Sequence, residues 1–161
     1  MNLKSTPGVP HKGWILEDVI DLRFDEDRAF GDYDNCEFCG QEQIRFVHIL
    51  SHSGYKDKIR VGCICAEHLT NDYVNPRRRE HALRTKSSRR DRWLTRSWKI
   101  SAKGNEYLNT RDGHNVGVFE VQGGRFKAWI GNKRGTIEYT TSDKAKLAIF
   151  DALEKMRNRR A

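Results

Sequence analysis

The sequence predicts an α+β fold in three parts: a small cysteine-stapled module, an arginine-rich helix, and a four-stranded antiparallel meander closed by one helix. Three observations predict it. All four cysteines fall between Cys36 and Cys65. From Pro76 onward a run of arginines and helix-forming residues continues to Lys99 without a glycine or a second proline. Beyond Trp98, short alternating apolar runs separated by glycine turns lead into one segment with helical period. The parts are placed at residues 1–75, 76–97 and 98–161.

The staple is needed because the apolar supply is thin. Of 161 residues, 37% are hydrophobic and 32% charged. Two small domains of that composition need help to stay folded, and a metal is one such help. No segment approaches the ~20 apolar residues of a membrane span, and residues 1–10 lack the apolar run of a signal peptide. The expected location is therefore a reducing cytoplasm, where clustered cysteines read as metal ligands rather than disulfides.

Residues 1–13 carry Pro7, Gly8, Pro10 and Gly13 and read as a loose lead-in. Residues 14–30 begin apolar and turn acidic, reading as a strand or short helix, and 31–35 (GDYDN) as a turn. CEFCG comes next, then IRFVHIL as a strand, SHSGYKD as a turn, KIRVG as a second strand, and CICAEHLTNDYV opening a helix.

Cys36 and Cys39 are three residues apart with Gly40 directly after. Two thiolates at that spacing reach one tetrahedral ion when the backbone turns sharply, and a glycine permits the positive φ such a turn needs. A redox CxxC pair would instead follow a strand and open a helix. Cys65 and His68 lie on the first turn of the next helix, where residues i and i+3 face the same way. The expected ligand set is Cys36, Cys39, Cys65 and His68 around one Zn²⁺. Cys63 is read as a partly buried free thiol, with replacement of a ligand as the alternative. Four protein ligands leave no open position, so this zinc is structural rather than catalytic.

Knuckle, hairpin and ligand-bearing helix resemble the treble-clef type of zinc finger over roughly residues 34–75. The stretch VHILSHSG…IRVGCICAEHL also partly resembles the HNH endonucleases. That resemblance places His48 at the water-activating histidine and Ser51 near the usual proline. The sequence departs from the pattern at Val47, where an acidic residue is common, and it lacks the later asparagine. An HNH-like metal-dependent nuclease using His48 is thus an alternative reading; the chain otherwise shows no support for an enzyme. The CxxCG…VGxxCAxxL core, the arginine-rich middle, and Trp98, Ser101, Gly104 and Asn105 together resemble a type of bacterial or phage-borne protein, a likeness that implies no activity.

Between Pro76 and Lys99 there are ten Lys or Arg against Glu80 and Asp91, an excess equal to the whole formal charge of +8. Like charges at helical spacing repel, and bound phosphates relieve them while releasing counterions. Arg77, Arg78, Arg79, Arg84, Arg89, Arg90, Arg92 and Arg96 are accordingly the expected nucleic-acid contacts, to DNA or RNA. The same surface would also suit an acidic protein partner, which makes an adaptor role the third reading. Trp93, Leu94 and Trp98 are the expected apolar anchors of the segment.

The meander is read as GNEYLNT, NVGVFEVQ, RFKAWIG and RGTIEYT, with a two-residue turn at Gly123-Gly124. One face carries Phe126, Ala128 and Ile130, expected under the last helix. The other carries Arg125, Lys127 and Trp129, and an aromatic between two cations suits base stacking. Lys127 and Trp129 join the expected nucleic-acid contacts. Ser142 is expected to cap the last helix, whose apolar positions are Ala145, Ala148, Ile149, Ala152, Leu153 and Met156.

Overall fold

In the computed structural model, which describes residues 2–24, 33–41 and 43–161, the chain is α+β with two antiparallel sheets and divides into two units, 1–86 and 87–161. The expected connector is not a separate part. It is one helix, α2 (Asn75–Leu94), whose first turns belong to the first unit and whose last turns belong to the second. Among the described residues, no helix is long and apolar enough to cross a membrane.

The first unit holds a three-stranded sheet, β1 (Ile15–Asp21), β2 (Phe46–His52) and β3 (Tyr55–Val61), in that order. The apolar start of 14–30 is thus a strand; the acidic residues 25–30 and Gly31 and Asp32 of the expected turn lie outside the described residues. β2 is central, and Phe46, Val47, His48 and Leu50 are all buried. A strand buried on both faces reads as a continuous apolar run rather than an alternating one, which is the character of FVHIL. α1 (Cys63–Thr70) follows β3 after Gly62 and ends at Asn71, a left-handed residue with φ 54°. Ala66 and Leu69 tie it into the core with Val47, Leu50, Ile59 and Val61.

Residues 1–13 are not a loose lead-in. Leu3 and Val9 are buried, and Leu3 and Lys4 donate backbone N–H bonds to the carbonyls of Glu37 and Phe38, both at 2.9 Å. The Trp14 indole donates to the Pro10 carbonyl at 2.7 Å, closing the segment onto itself. Asp72 starts α2 by accepting from the N–H groups of Val74 and Asn75, both at 2.9 Å. Pro76 then sits in the first turn, where its missing N–H costs nothing.

The second unit is a five-stranded sheet with its strands in chain order: β4 (Lys99–Ile100), β5 (Glu106–Asn109), β6 (Asn115–Val121), β7 (Arg125–Ile130) and β8 (Lys133–Arg134). This differs from the four expected strands at both ends. β4 is too short to leave a pattern. RGTIEYT leaves the sheet after Arg134, keeping to β7 through the Gly135 N–H on the Ala128 carbonyl, the Glu138 pairs with Arg125 and Lys127, and the bridge of Tyr139 to Phe126. The turn at Gly123 and Gly124 has three residues, with both glycines at positive φ (84° and 70°).

α3 (Ser142–Arg160) covers one sheet face. Leu108, Val116 and Val118 of the sheet meet Ala145, Ile149 and Phe150 of α3, with Phe126, Ala128 and Ile130 packed against them. The cap is Thr141 rather than Ser142: its hydroxyl accepts from the Lys144 N–H at 3.2 Å. Ser142 instead donates to the Glu106 carboxylate. The buried stripe also rotates from the expected one. It includes Lys146 and Glu154, while Met156 is exposed. Both buried charges are paired, Lys146 with Glu106 at 2.7 Å and Glu154 with Arg89 at 2.7 Å. Trp93 is buried in this core, donates to the Lys146 carbonyl at 2.7 Å, and accepts Trp98 edge-on at 5.4 Å.

Candidate functional site

The thiols of Cys36, Cys39 and Cys65 all lie within 4.8 Å of one another, close enough to hold one metal ion. The geometry comes from the backbone. Gly40, at φ 77°, turns the chain so that its N–H meets the Cys36 carbonyl at 2.8 Å. Cys36 N–H donates to the Gln41 carbonyl at 2.7 Å, closing the knuckle. The knuckle is fastened to β3 through Glu37, whose N–H donates to the Arg60 carbonyl at 2.9 Å and whose carboxylate accepts the Arg60 N–H at 2.7 Å. Gly62 N–H points at the Cys36 sulfur, 3.5 Å away.

Cys36 and Cys65 are pushed in opposite directions. The Cys65 S–H donates to Cys36, and despite burial this pulls the Cys36 thiol down to about 5, with backbone N–H groups of Cys39, Gly62 and Phe38 adding to the effect. The donor role and burial push Cys65 upward. A sulfur already held as thiolate beside two more thiols is a ready soft-metal donor set.

His68, the expected fourth ligand, is not within that group. It is exposed on α1, and its Nδ1 faces the Tyr73 hydroxyl at 3.1 Å. It does line the same cleft as the three thiols, a cavity of about 840 Å³ that His11 lines as well.

Cys63 is half-buried and points elsewhere. α1 begins at Cys63, so Cys63 and Cys65 are two residues apart on a helix and project about 200° from each other. Cys63 instead joins His48 and Glu80, the three ligating atoms again within 4.8 Å. Burial, then the Glu80 and Glu67 carboxylates, push its thiol up to about 11.

His48 is placed differently from the water-activating role of the nuclease alternative. Its side chain has 0% exposure, and its Nε2 lies 3.2 Å from the Pro76 carbonyl. A general base must reach substrate or water, and this ring is enclosed by protein. Burial also lowers its pKa.

The arginines of α2 each have a partner within the chain. Arg77 pairs with Glu67, Arg84 with Glu80 at 2.6 Å, Arg89 with Glu154 at 2.7 Å and Arg90 with Asp151 at 3.2 Å. Arg78 donates to the Asn75 side chain, Arg79 to the Glu17 carbonyl and Arg92 to the Ser88 carbonyl. Arg96 lies over the Trp93 ring at 5.4 Å. Carboxylates from elsewhere in each unit thus answer Arg77, Arg89 and Arg90, and Glu80 on the helix itself answers Arg84.

The outer face of the second sheet carries a different arrangement. Lys99, Tyr107, Gly117, Trp129 and Arg134 form one cross-strand row over all five strands. Trp129 lies across Gly117 so closely that a Cβ there would stand 2.2 Å from its ring. Its Nε1 donates to the Asn115 side chain at 3.1 Å, which fixes the indole's long axis. Phe119 sits beside it with ring centroids 6.1 Å apart, Arg134 caps Phe119 at 5.3 Å, and Lys127 is the cross-strand neighbour of Phe119. Lys127 and Trp129 were expected on this face; Tyr107, Phe119 and Arg134 were not singled out, although the alternation along β5 and β6 carries the signal.

No protein-family model matches the chain, and neither a curated protein nor a solved structure matches it significantly.

Proposed function

We propose that this protein binds single-stranded nucleic acid on the outer face of its second sheet, and that its first unit is a treble-clef-like module held by one structural zinc ion. The observation that carries the first half is the Trp129 platform. A half-buried indole, pinned at its edge and laid flat over a glycine, keeps one face for a base. Phe119 and Tyr107 extend it, and Lys127, Lys99 and Arg134 supply the positive charge that tracks a phosphate backbone. Such a surface takes bases by their π faces and is tolerant of sequence. The helix arginines remain secondary contacts, because they stand outside the Trp129 row; Lys127 would have to share its charge with Glu138, 3.7 Å away.

The zinc reading rests on the three gathered thiols. His68, one helical turn beyond Cys65, supplies the fourth bond by turning its ring from Tyr73 into the cleft. Four protein ligands then leave no position for water, and the ion contributes folding energy rather than chemistry.

The test is a fluorescence-polarisation titration at low salt with labelled single-stranded DNA, RNA and random duplex. Trp129→Ala should weaken single-strand binding roughly 5- to 150-fold, the range expected for one lost stacked base. No binding of any probe at low salt would sink the nucleic-acid reading, and purified protein without zinc would sink the other half.

A further inference from the structure

The first unit holds a second donor cluster that the three-thiol site does not use. His48 Nε2, the Cys63 sulfur and a Glu80 carboxylate oxygen converge within 4.8 Å, with Nε2 3.8 Å from Glu80 Oε2. They come from three elements, β2, the start of α1 and α2. A tetrahedral ion with bonds of about 2.0–2.3 Å puts its ligand atoms roughly 3.3–3.8 Å apart. The cluster needs a contraction of at most roughly 1–1.5 Å to reach that size.

Its surroundings already have the form of a ligand-orienting shell. Arg84 donates from Nε and Nη2 to Glu80 Oε1, at 2.9 and 2.6 Å, which leaves Oε2 for another partner. Arg84 itself is held over the Phe46 ring at 4.3 Å. Ligating carboxylates are held in this way by outer hydrogen bonds.

The histidine carries the second, independent observation. The ring is fully buried, and its Nδ1 has no hydrogen-bond partner. Its Nε2 lies 3.2 Å from the Pro76 carbonyl. A neutral imidazole has one N–H and one lone pair. With the N–H turned to that carbonyl from Nε2, the lone pair on Nδ1 is unanswered. A buried polar atom without a partner costs about 1–3 kcal/mol and asks for an explanation. A cation held with Cys63 and Glu80 would accept an imidazole lone pair, at whichever ring nitrogen does not keep the proton.

We propose that His48, Cys63 and Glu80 form a second metal site, for a divalent transition ion of the Zn²⁺ class. A thiolate and an imidazole favour such an ion over Mg²⁺ or Ca²⁺. Three protein ligands leave a fourth position. Cys63 and Glu80 both line the 840 Å³ cleft, so that position opens to water or a small anion beside Arg84. The site stands on residues separate from the three-thiol cluster, within the same unit.

A Co²⁺ titration of the full chain, stripped of metal and kept reduced, tests this by its sulfur-to-cobalt absorption. The expected result is saturation at two equivalents, with the second step adding the intensity of one thiolate. Cys63→Ser and Glu80→Gln should each lower the count to one and leave the first, three-thiolate step intact. Saturation of the unaltered protein at a single equivalent would overturn the proposal. Retention of two equivalents with unchanged absorption in Cys63→Ser would also overturn it. If either variant fails to fold, the step count and intensities in the unaltered protein decide the matter alone. A missing first step speaks to the structural zinc, and a missing second step to this site.

Discussion

The two units solve the same shortage of apolar residues differently. The first folds around β2, buried on both faces, and gathers three thiols at its edge. The second has a sheet and a helix whose apolar faces meet directly, and it buries charge only in matched pairs, Lys146 with Glu106 and Glu154 with Arg89. One unit gathers a set of residues able to hold a metal ion, and the other relies on packing. The contrast teaches where each should fail.

The largest effect should follow metal removal. Structural zinc sites supply on the order of 10 kcal/mol of folding free energy. A strong chelator should collapse the amide signals of residues 15–70 in a two-dimensional NMR spectrum and leave those of 106–155 dispersed. Equal loss, or equal survival, in both units would break the comparison. The converse experiment is Ile149→Ala, at a side chain only 1% exposed. It should cost the second unit about 2–5 kcal/mol in denaturant unfolding, with zinc content unchanged.

A smaller effect sharpens the comparison at the sheet surface. Gly117→Ala places a methyl where Trp129 lies and should displace the indole. Overpacking of this kind costs about 1–3 kcal/mol, and single-strand binding should fall to about the level of Trp129→Ala. Unchanged affinity in Gly117→Ala would show that the flat indole is not the contact.

The smallest effect is electrostatic. Burial alone would raise the Glu106 pKa, but Lys146 and Ser142 outweigh it and hold the carboxyl below its ordinary range. A depressed carboxylate adds stability above the pH where it titrates in the unfolded chain, and loses it as pH falls through its folded value. The melting temperature of Glu106→Gln should therefore lie below that of the parent near pH 7, with the gap closing toward about pH 3. A gap that widens on acidification would reverse the assignment.

Much of this was legible because it is local. The β2–β3 hairpin, α2, α3 and the β6–β7 faces follow from periodicity and turn residues. Cys36, Cys39 and Gly40 announce their knuckle by spacing alone. What stayed hidden depends on distant pairing. The carboxylates that answer Arg89 and Arg90 lie about sixty residues further on, at Glu154 and Asp151. Leu3 and Val9 are core residues scattered among prolines and glycines, with no period to reveal them. His48, Cys63 and Glu80 meet only after three elements pack. One signal was available: a helix starting at Cys63 cannot aim Cys63 and Cys65 at one ion.

The bonds from Leu3 and Lys4 to Glu37 and Phe38 carry a kinetic consequence. Leu3 and Lys4 thereby clasp the knuckle's outer backbone. An ion at the three thiols would then exchange by local opening of that clasp rather than by unfolding of the unit.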